Sequence, residues 1–205
     1  MENIYPLLIS HVSVFFPLSI CILTIIKFKN PQSILMVFQL FFNFIFSLMY
    51  HMYDYNNIKF KDTVGYDGWS ILDHNSSSIT IICTALYVSV YSDNMFFILS
   101  YIIYNLMLIN RLIPQNPVSS YMVIIFTIIC ALFKIKNIIN YFKNFFILST
   151  FTLLLTIFST FCFYYALDYD YGLWHSLWHF FVFITAGLCY LLRYKYEKKK
   201  TDIEY

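Results

Sequence analysis

The chain has 205 residues, of which 60% are hydrophobic, 22% aromatic and only 12% charged. A soluble domain of this size cannot keep so much apolar surface in water, so composition excludes that class and indicates a membrane protein. The net charge is only +2, and the one dense basic cluster, RYKYEKKK, directly follows the last apolar stretch, so anionic lipid of the inner leaflet accounts for it better than nucleic acid does.

Apolar stretches of about 17 to 24 residues, the length needed to cross a bilayer, are predicted at Ile4–Ile26, Pro31–Tyr53, Gly68–Tyr91, Asn94–Asn110, Ser119–Ile135, Asn144–Leu167 and Leu173–Leu192. This predicts an all-α polytopic bundle of seven transmembrane helices. The first stretch has no basic residue before it and is followed by Lys27 and Lys29, the reverse of a secretory leader, so it reads as a retained helix. Pro114 and Pro117 separate the fourth and fifth stretches, each near the lower length limit.

With seven spans, Lys59, Lys61 and Arg111 fall on one side of the membrane. The other ten of the 13 Lys and Arg residues fall on the opposite side, from Lys27 and Lys29 to Lys198, Lys199 and Lys200. That asymmetry predicts an outside or lumenal amino terminus and a cytosolic carboxyl terminus. The expected organisation is one transmembrane domain over residues 1–196 and a cytosolic tail over 197–205, in the plasma membrane or a membrane of the secretory pathway. Cys21, Cys83, Cys130, Cys162 and Cys189 all lie within apolar stretches at no metal-type spacing, and read as small buried hydrophobes.

The polar residues inside these spans carry the chemistry. In WHSLWH, His175 and His179 stand four apart at the start of the seventh span. In SLMYH, Ser47 and His51 share that spacing near the end of the second, and Asp73 lies just inside the third. Residues four apart lie on one helix face, and the predicted topology brings all five to the same outer depth. His51, His175 and His179 make a three-imidazole set suited to Zn2+, with a fourth position open in the catalytic manner. Zinc can lower the pKa of water to about 7. Asp73 is the candidate acid–base group and Ser47 the candidate donor to a developing oxyanion, which points to hydrolysis of a lipid amide or ester.

Blander readings stand beside these. The histidines between Trp174 and Trp178 also fit an interfacial aromatic belt, and Ser47 also fits a helix-crossing hydrogen bond. A carboxylate within a span, as at Asp73, is costly and usually functional. Asp54 can partner His51 or lie in a solvated loop. His74 and His11 read as hydrogen-bonded bundle histidines, Asp168 and Asp170 as an exposed turn that orders the seventh span, and Asn75–Ser77 as residues that pack helices or line a cavity.

FSLMYHMYD (Phe46–Asp54), LDHNSSS (Leu72–Ser78) and DYDYGLWHSLWH (Asp168–His179) resemble the three signature regions of the CREST superfamily of seven-span metallohydrolases. The fit looks closest to the branch that contains myomaker and the GPI-directed phospholipase A2. The resemblance runs over nearly the whole chain in span order. It implies zinc ligands at His51, His175 and His179, with Ser47 and Asp73 beside the metal.

The chain departs from that branch in lacking both the large extracellular portion of the GPI-directed enzymes and the cysteine-rich tail of myomaker, for KKKTDIEY has no cysteine. Two functions follow as expectations: a zinc-dependent hydrolase of an acyl ester or amide in a membrane lipid, or a nonenzymatic membrane-remodelling or fusion protein that keeps the zinc for structure. A seven-span receptor ranks below both, because no long cytosolic loop is available for effector coupling.

Overall fold

The structure, a computed structural model, describes residues 9–56, 65–89, 91–112 and 118–203; the start of the first predicted span and Lys59, Lys61, Pro114 and Pro117 lie outside them. Every regular element among the described residues is helical, as expected. A 3-10 turn at Val12–Val14 leads into α1 (Phe15–Phe28). There follow α2 (Pro31–Asn56), α3 (Gly65–Val88), α4 (Asp93–Leu112), α5 (Val118–Phe133), α6 (Ile135–Asn144), α7 (Phe146–Asp168) and α8 (Tyr171–Ile203).

Local chemistry sets several boundaries. Lys29 adopts a left-handed conformation (φ 51°) that closes α1, its N–H bonded to the Ile25 carbonyl at 2.9 Å. Asn30 then caps α2, accepting from the N–H groups of Gln32 (2.9 Å) and Ser33 (3.3 Å), with Pro31 at the first helical position. Asp170 does the same for α8 through the N–H of Leu173 at 3.1 Å, in keeping with the expected ordering role. α8 does not stop at the last apolar residue but continues through Arg193 into the basic segment and on to Ile203.

Among the described residues, four stretches are long and apolar enough to cross a bilayer by themselves: Ile9–Phe28, Pro31–Tyr53, Phe146–Ala166 and Tyr171–Asp202. A fifth arises if α5 and α6, bent by 73° at Lys134, count together. Residues 136–143, which the sequence left as a loop between spans, form most of α6, a ten-residue amphipathic helix too short to register as a span.

The bundle has the inverted polarity of a membrane-embedded protein. Large apolar side chains face outward, among them Ile26 (72% exposed), Phe133 (78%) and Ile147 (83%), while Gln32, Gln39, Asn43, Ser47, His51 and Asp73 are buried. All five cysteines are free thiols, four of them buried.

The polar interior is concentrated on α2 and α3. Gln39, Asn43, Ser47 and His51 recur every four residues and form one stripe on α2. Opposite them, Ser76 and Ser77 donate to Asn43 Oδ1 at 2.7 and 2.9 Å, and the Gln39 amide donates to the Ser76 carbonyl (3.1 Å) and the Thr80 hydroxyl (3.0 Å). Tyr104 of α4 donates to Gln39 Oε1. Asn75–Ser77 thus lies at a helix-packing face, as expected. α3 is too polar to qualify as a span alone, yet it is enclosed by α2, α4, α5 and α8.

At the other end of α3, neighbouring side chains take up its last carbonyls. Arg193 of α8 donates to Tyr87 O at 2.9 Å, Tyr141 of α6 to Val88 O at 2.7 Å, and Asn137 of α6 to Ser89 O at 2.7 Å. The Arg193 guanidinium also pairs with Glu197 at 2.7 Å and lies 5.3 Å from the centre of the Tyr87 ring. Replacing Arg193 with Met should therefore lower stability by about 1–3 kcal/mol, read as a fall in the melting temperature of the detergent-purified protein. At the α1–α8 crossing Gly187 faces the ring of Phe16 so closely that a Cβ would overlap it. Gly187→Ala should destabilise by about 1–3 kcal/mol through overpacking, and Gly187→Ala with Phe16→Ala should recover part of the loss in the same assay.

Candidate metal centre

His51 occupies the last turns of α2, and His175 and His179 the first turns of α8. All three are buried, at 0%, 8% and 2% exposure. Their Nε2 atoms form a nearly equilateral triangle: 3.0 Å between His51 and His179, 3.1 Å between His179 and His175, and 3.3 Å between His175 and His51.

A neutral imidazole nitrogen is either a donor or an acceptor, never both. Three nitrogens in mutual contact cannot then all be paired, because at least one edge of the triangle joins two donors or two acceptors. A cation removes the conflict by accepting three lone pairs at once. Nitrogens held about 2.0–2.1 Å from a tetrahedral ion stand roughly 3.3 Å apart, close to the edges seen here. The donor set therefore fits a metal ion. His51 Nδ1 is buried and has no hydrogen-bond partner among the described residues, and the side chain of Asp54, its expected partner, lies outside them.

His11, on the turn before Val12–Val14, is fully buried and belongs to the same cluster. Its ring lies 4.3 Å from that of His179 and 5.6 Å from that of His51. The ligand atoms of His11, His51 and His179 all stand within 4.8 Å of one another, close enough to hold a metal ion. His11 Nε2, however, is engaged with Ser47 Oγ at 3.0 Å. The tighter convergence is that of His51, His175 and His179, with His11 beside it. The sequence reading of His11 as a hydrogen-bonded bundle histidine captures its bond to Ser47 but not its place among the other imidazoles. A lone histidine without a spaced partner gives no sign of that proximity.

Ser47 joins the cluster to α3. Its hydroxyl contacts His11 and lies beside the Asp73 carboxyl, which receives a bond from Ser77 at 3.5 Å. Asp73 is 6% exposed. The structure thus brings the five sequence-selected residues into one assembly, linked through His11 and Ser47. His74 turns outward instead, bonded to the Ser70 carbonyl at 2.7 Å. Asp168's side chain lies outside the described residues.

Aromatic rings fix the imidazoles. Tyr171 stacks on His175 with centres 4.5 Å apart, and Trp178 flanks both His175 (5.0 Å) and His179 (4.5 Å). From His179 a cavity of about 330 Å³ extends between α3, α5, α7 and α8 as far as Cys189 of α8 and Ile138 of α6. Ten residues of helix separate His179 from Cys189, a length of about 15 Å. Its wall is chiefly apolar, with hydroxyls at Ser77, Thr80, Thr84 and Thr156.

No protein-family model matches this sequence, and no curated protein matches it.

Proposed function

We propose that this protein is a seven-span membrane metalloenzyme, its amino terminus outside or lumenal and its carboxyl terminus cytosolic, that hydrolyses an acyl ester or amide in a lipid with Zn2+ as cofactor. The observation that carries the reading is the Nε2 triangle of His51, His175 and His179, whose His179 lines a mainly apolar cavity. A neutral imidazole donor set with an open position suits zinc. When bound, zinc supplies Lewis acidity and activates water at neutral pH.

The chain's own residues do the rest. The cavity wall takes up a single hydrocarbon chain and sets the scissile bond beside His179. Asp73 holds a proton and returns it to the leaving group, while the Ser47 hydroxyl, held against His11 and beside Asp73, donates to developing negative charge. The enclosure of α3 by α2, α4, α5 and α8 lets a helix too polar to qualify alone cross the bilayer, which supports a count of seven spans, in the plasma membrane or a secretory-pathway membrane. The basic end of α8, with Lys195, Lys198, Lys199 and Lys200, contacts anionic inner-leaflet lipid.

His11 favours a second reading. Four imidazoles around one ion make a closed site of the structural kind, which suits a nonenzymatic membrane-remodelling or fusion protein. Expression in nonfusing cells and a count of multinucleated cells separates the two.

Metal content by mass spectrometry tests the shared premise. The unaltered protein should carry about one zinc, and His175→Ala and His179→Ala should each lose it together with hydrolysis of ceramides, phospholipids or GPI-linked lipids. Full activity in both variants sinks the enzyme reading. Because protons compete for the imidazoles, zinc should be retained at neutral pH and lost only in acid well below the ordinary imidazole value of about 6.5, followed by dialysis against buffers of decreasing pH. Ala186→Phe, which fills the cavity beyond His179, should leave zinc content unchanged yet reduce turnover of long-chain lipids by about tenfold relative to short-chain ones.

A further inference from the structure

We infer that the cavity takes a hydrocarbon chain with a hydroxyl partway along it, received by the side-chain amide of Asn43 on α2 and by Thr185 of α8. The inference rests on the reading of this cavity as the site of a lipid chain, names the class of that chain, and needs no metal.

Asn43 is 5% exposed and lines the cavity. Its Oδ1 takes two bonds from α3, from Ser76 at 2.7 Å and Ser77 at 2.9 Å, which orients the carboxamide and turns its nitrogen away from those serines. Nδ2 has no partner among the described residues, and the cavity is the open space that the residue borders. An amide left unpaired in an apolar layer is costly, and a ligand oxygen that accepts from it removes the cost. Several hydroxyls of the wall are already satisfied. Thr80 donates to the Ser76 carbonyl at 2.7 Å, Thr84 bonds to the Tyr190 hydroxyl at 2.8 Å, and Thr156 donates to the Thr152 carbonyl at 2.8 Å. Thr185 is different: its buried hydroxyl has no partner among the described residues. Threonine in a helix divides between two χ1 rotamers, and a turn between them brings this hydroxyl to the cavity its residue lines.

Both groups lie at a similar depth. α2 and α8 run in opposite directions, for His51 meets His179 at one end, while at the other Tyr87 bonds to Ser33 of α2 (2.8 Å) and packs on the Tyr190 ring of α8 (5.2 Å). Asn43 is eight residues back from His51 and Thr185 six on from His179, so they stand roughly 12 and 9 Å from those histidines along the helix axes. That is too far for an oxygen next to a bond held beside His179, and it fits one carried well down the chain. A hydroxyl suits both residues, since it accepts from an amide N–H and donates to a second hydroxyl.

Ricinoleate and oleate, the same chain with and without one mid-chain hydroxyl, test this as an equal mixture offered to the detergent-purified full chain, with the bound acids counted by native mass spectrometry. Both carry the same carboxylate, so any contribution from a metal cancels. The unaltered protein should favour ricinoleate by about five- to tenfold over the ratio in protein-free micelles. Asn43→Leu should remove most of that preference while still binding oleate; Ser76 and Ser77 keep acceptors in the Asp73 carbonyl (3.1 Å) and carboxyl (3.5 Å). Thr185→Val, which removes an unpaired hydroxyl at nearly unchanged volume, should reduce the preference by about threefold, and it carries the test if Asn43→Leu does not fold. Ala186→Phe should lose both acids.

An unaltered protein without preference overturns the inference while the cavity remains a chain site. So does a preference undiminished in Asn43→Leu and Thr185→Val. Uptake of neither acid, or uptake that Ala186→Phe leaves unchanged, overturns the reading of the cavity and this inference with it.

Discussion

Within an apolar layer a polar side chain finds its partner on another helix or remains unsatisfied, and the whole bundle is arranged around that constraint. α2 and α3 carry the polar residues, so they must face each other. The Gln39, Asn43, Ser47 and His51 stripe meets Asp73, Ser76, Ser77 and Thr80, with Tyr104 closing the remaining Gln39 oxygen. Each bond across this seam has only a modest net value. Their combined effect is to fix the rotation of both helices, and so to aim Ser47 and His51 at the start of α8. The metal cluster is the end of that seam.

The cluster itself is a problem of parity. Two imidazole nitrogens can pair as donor and acceptor, but three in mutual contact cannot, and a fourth imidazole lies against them. Folding so many buried nitrogens together makes physical sense when a cation completes them. His11, bonded to Ser47 at 3.0 Å, stands at the edge of that centre.

α6 links the far end of the cavity to the core. It bends away from α5 at Lys134, where its own Asn137 and Tyr141 take up the last carbonyls of α3, and it presents Ile138 to the cavity. Arg193 secures the same end of α3 from α8. The polar seam and the capped α3 terminus therefore bracket the cavity, one at the histidines and one at the opposite face. A chain-like apolar ligand would find both ends of its site fixed.

Composition determined that this is a membrane protein, because so apolar a chain has no soluble alternative, and apolar stretches of bilayer-spanning length determined that it is helical. Spacing selected the pairs Ser47 with His51 and His175 with His179, because residues four apart on a helix must share a face whatever surrounds them, and a carboxylate placed within an apolar span selected Asp73. Long-range packing decided the rest. His11 has no spaced partner, and only the crossing of α1 with α2 and α8 brings it beside His179. α6 was missed because ten amphipathic residues resemble a loop until carbonyls at the end of α3 give Asn137 and Tyr141 something to bind. The convergence of three Nε2 atoms to within 3.0–3.3 Å likewise depends on how α2 meets α8, since a local repeat sets the face a side chain occupies but not the distance to a residue more than a hundred positions away.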